Sequence, residues 1–116
     1  KLTGTTMCLF RPPYGDYDNN LIIQAKNCGY YTIQWNCDSL DWKNYGADAI
    51  VSRILDSEHL GNGSIILMHN GAKYTKDALE TVISTLQSKG YEFVTLSELV
   101  YKDHFHMDPS GKQIPD

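Results

Sequence analysis

The sequence predicts an α/β protein with four parallel β-α units. Short apolar strands alternate four times with segments of helical periodicity, and glycines or polar turns separate them. Strands connected through helices form right-handed crossovers, which place the strands parallel in one sheet. The chain has 116 residues, whereas a complete eight-unit barrel needs about 250. Four units therefore form either a small open sheet or half of a barrel.

The first two units occupy the first half of the chain. The first strand is predicted over residues 7–10, and Asp18 is placed to cap a helix that Gly29 ends. The second strand is predicted over residues 31–35. Its helix is predicted from about Ala47 to Asp56, where apolar residues recur on one side.

The third unit begins at a turn formed by Asn62 and Gly63. This turn leads into a strand over residues 65–68. Thr75 is predicted to cap the helix that follows, and Gly90 lies just past its end.

The fourth unit is the shortest. A strand is predicted over residues 93–95 and a helix over residues 97–101. The predicted domain therefore spans residues 1–101. Residues 102–116 are polar and contain prolines and a glycine, which predicts an irregular C-terminal tail.

Composition excludes several classes of function. A hydrophobic fraction of 41% and a charged fraction of 21% are those of a globular domain. The formal net charge of −4, with no cluster of Lys or Arg, argues against nucleic acid as a partner. The apolar runs are far too short to span a bilayer, so no membrane span is expected in this segment.

Polar side chains follow three of the predicted strands. Arg11 comes directly after the first strand, Asp38 and Asp41 follow the second, and His69 follows the third. In an open sheet and in a barrel alike, the carboxyl ends of parallel strands form the rim where chemistry occurs. Each residue also has a structural explanation, because aspartates make loop or cap hydrogen bonds. Their common location nevertheless favours a functional site.

Acid–base chemistry is the function that these residue types predict. His69 can donate a proton to a leaving group, and a neighbouring carboxylate, for which Asp41 is the obvious candidate, favours a protonated imidazole. Arg11 can hold a carboxylate in a bidentate geometry. The two prolines after Arg11 carry no N–H, so the backbone N–H of Tyr14 is the first donor that can bind an oxyanion.

Three stretches, R-P-P-Y from Arg11, D-S-L-D-W from Asp38 and I-L-M-H ending at His69, resemble a known family. In order and spacing they are similar to the third, fourth and fifth motifs of the polysaccharide deacetylase (NodB-homology) domain of carbohydrate esterase family four. The resemblance covers about residues 4–101. It implies the C-terminal half of a distorted (β/α) barrel, a divalent metal, most readily zinc, and action outside the cell or at the cell wall. The implied reaction is hydrolysis of the acetamide of N-acetylglucosamine units in peptidoglycan, chitin or a related glycan.

The resemblance also implies a catalytic role for three residues. Arg11 would orient the aspartate that acts as the catalytic base of the family. Asp41 would tune His69, and His69 would be the general acid that protonates the leaving amine.

The remaining motif residues would bind substrate according to the same resemblance. The backbone N–H of Tyr14 would help to bind the oxyanion, and Trp42 and Leu67 would line the acetyl pocket. Pro13 and Asp38 belong to the same surroundings, Asp38 with a more structural role.

Two motifs of the family, T-F-D-D-G and a histidine pair at H-x-x-x-H spacing, are absent from the chain. In the family they supply the catalytic base and all three protein ligands of the metal. The metal is therefore expected to be bound by a missing N-terminal segment of the same domain, possibly a separate chain. The tail segment His104-Phe105-His106 could chelate weakly, but a surface segment is the preferred interpretation.

Two other functions fit parts of the sequence. A non-catalytic glycan-binding or scaffold remnant would keep the pocket without the metal-binding half, and the two missing motifs upstream would distinguish it from an enzyme. A regulatory domain with a phosphoacceptor aspartate requires a lysine at a later strand end. Lys73, four residues past His69, fits that requirement poorly.

Overall fold

The computed structural model describes residues 2–116, which form two compact units. The first unit comprises residues 2–34 and 96–116, and the second comprises Trp35–Thr95. Residue 1, where the predicted domain begins, lies outside the described residues. Within the described part of the chain, no helix is both long and apolar enough to cross a membrane.

The first unit contains one β-α-β crossover. Strand β1 (Leu9–Phe10) pairs in parallel with β2 (Tyr31–Thr32), and helix α1 (Asn19–Asn27) connects them. The predicted cap of α1 is confirmed, because the backbone N–H of Leu21 donates to Asp18 Oδ1 at 2.8 Å. This bond satisfies one of the donors that every helix leaves unpaired at its first turn.

The second unit contains the main hydrophobic core. Strand β3 (Cys37–Asp38) pairs in parallel with β4 (Ile66–Leu67), and helices α2 (Ala47–Leu55) and α3 (Thr75–Ser88) follow the two strands. The apolar sides of the helices and the inner residue of β3 form one buried cluster, made of Cys37, Ile50, Ile54, Ala78, Val82 and Leu86. The predicted helical periodicities therefore describe the core correctly.

The mixed α/β class is confirmed, but the strands differ from the prediction. They form two separate parallel pairs rather than one four-stranded sheet. Residues 93–95, predicted as the fourth strand, have no regular structure, and the following helix α4 is Leu96–Leu99 rather than 97–101. Phe93 and Val94 are 48% and 43% exposed, so this apolar segment lacks the close packing on which strand preference depends.

The segment predicted to be an irregular tail contains a β-hairpin. Strands β5 (Phe105–Met107) and β6 (Gln113–Pro115) pair antiparallel. At the turn, Asp108 Oδ1 accepts hydrogen bonds from the hydroxyl and N–H of Ser110 and from the N–H of Lys112. These bonds, led by the one from the Ser110 hydroxyl, lower the pKa of Asp108. The prediction missed the hairpin because each strand has only three residues, too few for a visible alternation.

Candidate active site

A strained turn places Asp41 directly after β3. Residues Asp41–Lys43 form a single 3₁₀ turn, flanked by Leu40 with φ of 50° and Asn44 with φ of 56°. Non-glycine residues with positive φ are uncommon, and such strained positions are found preferentially at functional sites. The side chain of Asp41 is completely buried.

The carboxylate of Asp41 is saturated with hydrogen bonds. Its Oδ1 lies 2.7 Å from His69 Nδ1. Its Oδ2 accepts from the backbone N–H of His69 at 2.7 Å and from the hydroxyl of Thr75, also at 2.7 Å. The structure therefore brings together Asp41 and His69, the two residues predicted to form the acid–base pair, although 28 positions separate them.

The pKa of Asp41 reflects a balance of burial against these bonds. Burial alone would raise it, because desolvation disfavours the charged carboxylate. The hydrogen bonds from the Thr75 hydroxyl, the His69 backbone and the His69 ring outweigh that effect, and the pKa of Asp41 is lowered from its ordinary value. Asp41 is thus held in its ionised form, and its carboxylate accepts a hydrogen bond from Nδ1–H of His69.

His69 is the accessible member of the pair. Its side chain is 39% exposed, whereas that of Asp41 is fully buried. Because Nδ1 faces Asp41, Nε2 is the ring nitrogen left to exchange a proton with a substrate. A histidine held in this way by a carboxylate can act as a general acid or base.

Thr75 is a site residue that the sequence analysis missed. It was predicted to cap α3, but Tyr74 stands at the cap position without a side-chain cap bond, and Thr75 is the first helical residue. Its hydroxyl instead donates to Asp41. Hydroxyl residues are common at helix starts, so only the fold reveals this different partner.

We expect Thr75→Val to destabilise the second unit and to raise the pKa of Asp41. Valine has the same shape but no donor, and a hydrogen bond to a charged group contributes about 1.5–3 kcal/mol. In urea unfolding, Thr75→Val should lose roughly that much free energy of unfolding at pH 7, and Thr75→Ser should lose much less because it keeps the hydroxyl. A Thr75→Val variant as stable as wild type, beside a clear loss in Thr75→Ser, would show that the methyl packing, not the bond to Asp41, matters.

Asp38 has structural partners. Its Oδ1 accepts from the backbone N–H of Leu40 at 2.9 Å, and its carbonyl oxygen accepts from Arg53 Nε, also at 2.9 Å. It lies in β3 rather than after a strand. These contacts fix the start of the loop that carries Asp41.

The three predicted site residues of the first motif lie in the first unit. Arg11 is exposed and follows β1, and Pro13 begins a 3₁₀ turn that includes Tyr14. Tyr14 has φ of 58° and a 98% exposed side chain. Within residues 2–116, no hydrogen bond engages its backbone N–H, whereas those of Gly15 and Asp16 donate to the two preceding proline carbonyls. The Tyr14 N–H is thus available to a ligand.

The residues predicted to wall the acetyl pocket differ in burial. Leu67 is buried in β4, and Trp42 is 55% exposed in the turn after β3. The second unit has an open cavity of about 580 Å³, lined by residues that lie between Trp35 and His59 in the sequence. Of the predicted site residues, only Asp38 lines this cavity. The acetyl pocket therefore stays a prediction.

The residues present do not fit a metal centre. Among residues 2–116, no group of three or more His, Cys, Asp or Glu side chains could hold a metal ion. Asp41 Oδ1 and His69 Nδ1, both ligand-type atoms, are directed at each other. That the metal ligands lie in an N-terminal segment stays a prediction.

A buried carboxylate paired with an accessible histidine is an arrangement that acid–base sites use, and comparison with known proteins shows which family the chain resembles. No family model matches the chain. The peptidoglycan-N-acetylglucosamine deacetylase PgdA of Listeria monocytogenes is 38% identical over 97 residues, which cover 84% of this chain and 20% of that protein. The solved Bc1960 peptidoglycan N-acetylglucosamine deacetylase is 36% identical, with a TM-score of 0.72 over 78% of this chain and 44% of that chain.

A third similar structure is BA3943 of Bacillus anthracis, a pseudoenzyme of carbohydrate esterase family four. It is 30% identical, with a TM-score of 0.76 over 82% of this chain and 33% of that chain. The resemblance to carbohydrate esterase family four, the polysaccharide deacetylases, is therefore confirmed by these relatives and solved structures. It spans less than half the length of these three relatives.

Proposed function

We propose that this chain supplies the general acid and the acetyl pocket of a metal-dependent polysaccharide N-deacetylase. The observation that supports the proposal best is the 2.7 Å contact between buried Asp41 and accessible His69. The substrate is an N-acetylglucosamine-containing glycan of the peptidoglycan or chitin type, because relatives of the chain are peptidoglycan deacetylases. Such a substrate places the enzyme outside the cell or at the cell wall.

The proton transfer follows from the geometry of the pair. In hydrolysis of the acetamide, water adds to the acetyl carbon and gives a proton to the catalytic base. The carbon–nitrogen bond then breaks, and the departing nitrogen needs a proton to leave as an amine. His69 donates that proton from Nε2, while Asp41 holds Nδ1–H and stabilises the charged ring. Thr75 and the His69 backbone keep Asp41 ionised and fixed in orientation.

The other motif residues are proposed to bind the reacting groups. The unpaired backbone N–H of Tyr14, next to Pro13, donates to the oxyanion that forms at the acetyl carbon. Trp42 and Leu67 line the acetyl pocket, and Asp38 shapes its loop. Arg11 orients the catalytic-base aspartate, which the chain itself does not contain.

The base and the metal ligands are proposed to come from an N-terminal segment of the same domain, in the same polypeptide or as a separate chain. Residues 1–101 are then the C-terminal part of that domain. The metal is a divalent ion, most readily zinc, which would polarise the acetyl carbonyl as a Lewis acid when bound. The described residues offer no cluster that could hold it.

The proposal is tested by adding the N-terminal segment. Residues 1–116 alone should bind zinc no more tightly than their His69→Ala variant and should not deacetylate N-acetylated oligosaccharides, because base and ligands are absent. The form completed by its N-terminal segment should bind about one divalent ion and release acetate. Stoichiometric zinc in residues 1–116 that disappears in His69→Ala would make His69 a ligand and refute its role as the acid.

A non-catalytic glycan-binding or scaffold protein is the second candidate. It is favoured by the similarity to BA3943, a family member that is a pseudoenzyme and of which a mutant with restored enzymatic activity is known. This alternative predicts that the completed form binds N-acetylated oligosaccharides but releases no acetate. The enzyme proposal predicts acetate release that depends on His69.

A further inference from the structure

We propose that the C-terminal hairpin, residues 105–115, is a positioning element for the turn that carries Tyr14. This inference rests on the proposed function in one respect, which is that the Tyr14 N–H binds the oxyanion during catalysis. The contact itself is made by Gln34, which lies between the hairpin and the turn, and all these residues belong to the first unit. The hairpin thereby gains a role that the three family motifs do not assign.

Gln34 binds the turn directly. Its side-chain Nε2 donates to the carbonyl oxygen of Gly15 at 2.6 Å. Inside the turn, the N–H of Gly15 donates to Pro12 and the N–H of Asp16 donates to Pro13. The Gly15–Asp16 peptide is therefore held through both its carbonyl oxygen and its N–H. The N–H of Tyr14, one residue before Gly15, is unpaired within residues 2–116.

The hairpin turn lies directly against Gln34. A Cβ atom added to Gly111 would come within 3.0 Å of Gln34 Cγ and 3.0 Å of Tyr17 Oη. The same tyrosine hydroxyl donates to the carbonyl oxygen of Pro109 at 2.8 Å. The hairpin thus fits against Gln34 so closely that one added methyl group would require Gln34 or Tyr17 to give way by a few tenths of an ångström.

The hairpin is also anchored at its base. The side-chain amide of Gln113 in β6 both accepts from the Tyr101 N–H at 2.7 Å and donates to the Tyr101 carbonyl oxygen at 3.0 Å. The Tyr31 hydroxyl of β2 donates to the carbonyl oxygen of Lys102 at 3.4 Å. These bonds hold the hairpin to the unit at points separate from Gln34.

The environment of Gln34 indicates positioning rather than stabilisation. Its Oε1 atom is buried without a hydrogen-bond partner among residues 2–116. An unpaired buried acceptor destabilises a fold, so an apolar side chain of the same length would suit this position better for stability alone. The one bond that the amide makes within the described residues is the bond to Gly15.

The test compares two glycines that differ in their surroundings. Gly111 and Gly29 have nearly the same backbone conformation, with φ of 86° and 85°, but nothing lies within 4 Å of a Cβ added to Gly29. In ¹⁵N-labelled protein we expect Gly111→Ala to shift the amide signals of Tyr14 and Gly15, and Gly29→Ala to leave them in place. Gln34→Met, which removes the donor and keeps the length, should shift the same two signals without lowering Tm.

Activity provides the second readout in the completed form. Gly111→Ala and Gln34→Met should lower kcat about 10- to 100-fold with little change in KM, because a displaced oxyanion donor acts mainly on the transition state. Gly29→Ala should keep wild-type kcat. Amide signals of Tyr14 and Gly15 that do not move in Gly111→Ala would overturn the inference, whether or not the completed form deacetylates glycans. If the signals move in Gly111→Ala but kcat of an active completed form is unchanged, the catalytic part of the inference is wrong.

Discussion

Replacing His69 by alanine in the completed domain is expected to lower kcat for acetate release by about 10²- to 10⁴-fold, the usual contribution of a general acid. KM should change little, because the proton moves in the transition state and not in the bound ground state. The variant should stay folded although it loses the ring's bond to buried Asp41, because the carboxylate keeps its bonds from the His69 backbone and from Thr75. The measurement is a steady-state assay on N-acetylated oligosaccharides with a thermal melt of both proteins.

His59→Ala is the matched control for His69. His59 lies in the same unit, is exposed, and uses its backbone rather than its ring in the bonds that are observed. Its variant should retain wild-type kcat. A kcat of His69→Ala within about threefold of wild type would remove His69 from the reaction, and a matching loss in His59→Ala would point to a general effect on folding.

The pairing of Asp41 with His69 could be predicted from the sequence because it depends on a rule of topology. Residues that follow parallel strands meet at one rim, whatever the details of the sheet. The residue types then specify acid–base chemistry. The first three predicted helices and the capping role of Asp18 were predicted correctly for a similar reason, because periodicity and this cap are local signals.

The features that the sequence did not reveal depend on contacts between distant segments. The partner of the Thr75 hydroxyl is a carboxylate 34 positions away, and the usual local interpretation of a threonine at a helix start is a cap. Gln34 and Gly111 meet only because the hairpin folds back on its unit. Phe93 and Val94 have strand propensity, but tertiary packing decides whether such a segment becomes a strand.

Asp41→Asn is expected to have a large effect on both stability and activity. In the wild type, donors of His69 and Thr75 point at the carboxylate of Asp41. The introduced asparagine keeps only one acceptor oxygen and turns its NH₂ group, itself a donor, towards these donors. Breaking this buried cluster should cost about 3 kcal/mol of the free energy of unfolding at pH 7. Asp56→Asn is the matched control, because Asp56 is exposed in the same unit, and it should lie within about 0.5 kcal/mol of wild type.

The pH dependence of that stability difference has a definite sign. The pKa of Asp41 is lowered in the folded state, so the ionised group stabilises the fold above the ordinary aspartate value of about 3.9. This contribution is lost as pH falls through the lowered pKa. The gap between wild type and Asp41→Asn in urea unfolding should therefore be widest near pH 7 and should narrow below about pH 4. A gap that stays constant from neutral pH down to about pH 3 would show that packing, not the ionised carboxylate, is responsible.

In the completed domain the same substitution should lower kcat by about 10²-fold or more, because the ring of His69 loses the acceptor that fixes its tautomer and stabilises its charge. The measurement is a steady-state assay of acetate release on N-acetylated oligosaccharides. A kcat that stays near the wild-type value, in a variant that remains folded, would show that Asp41 supports the structure without assisting the acid.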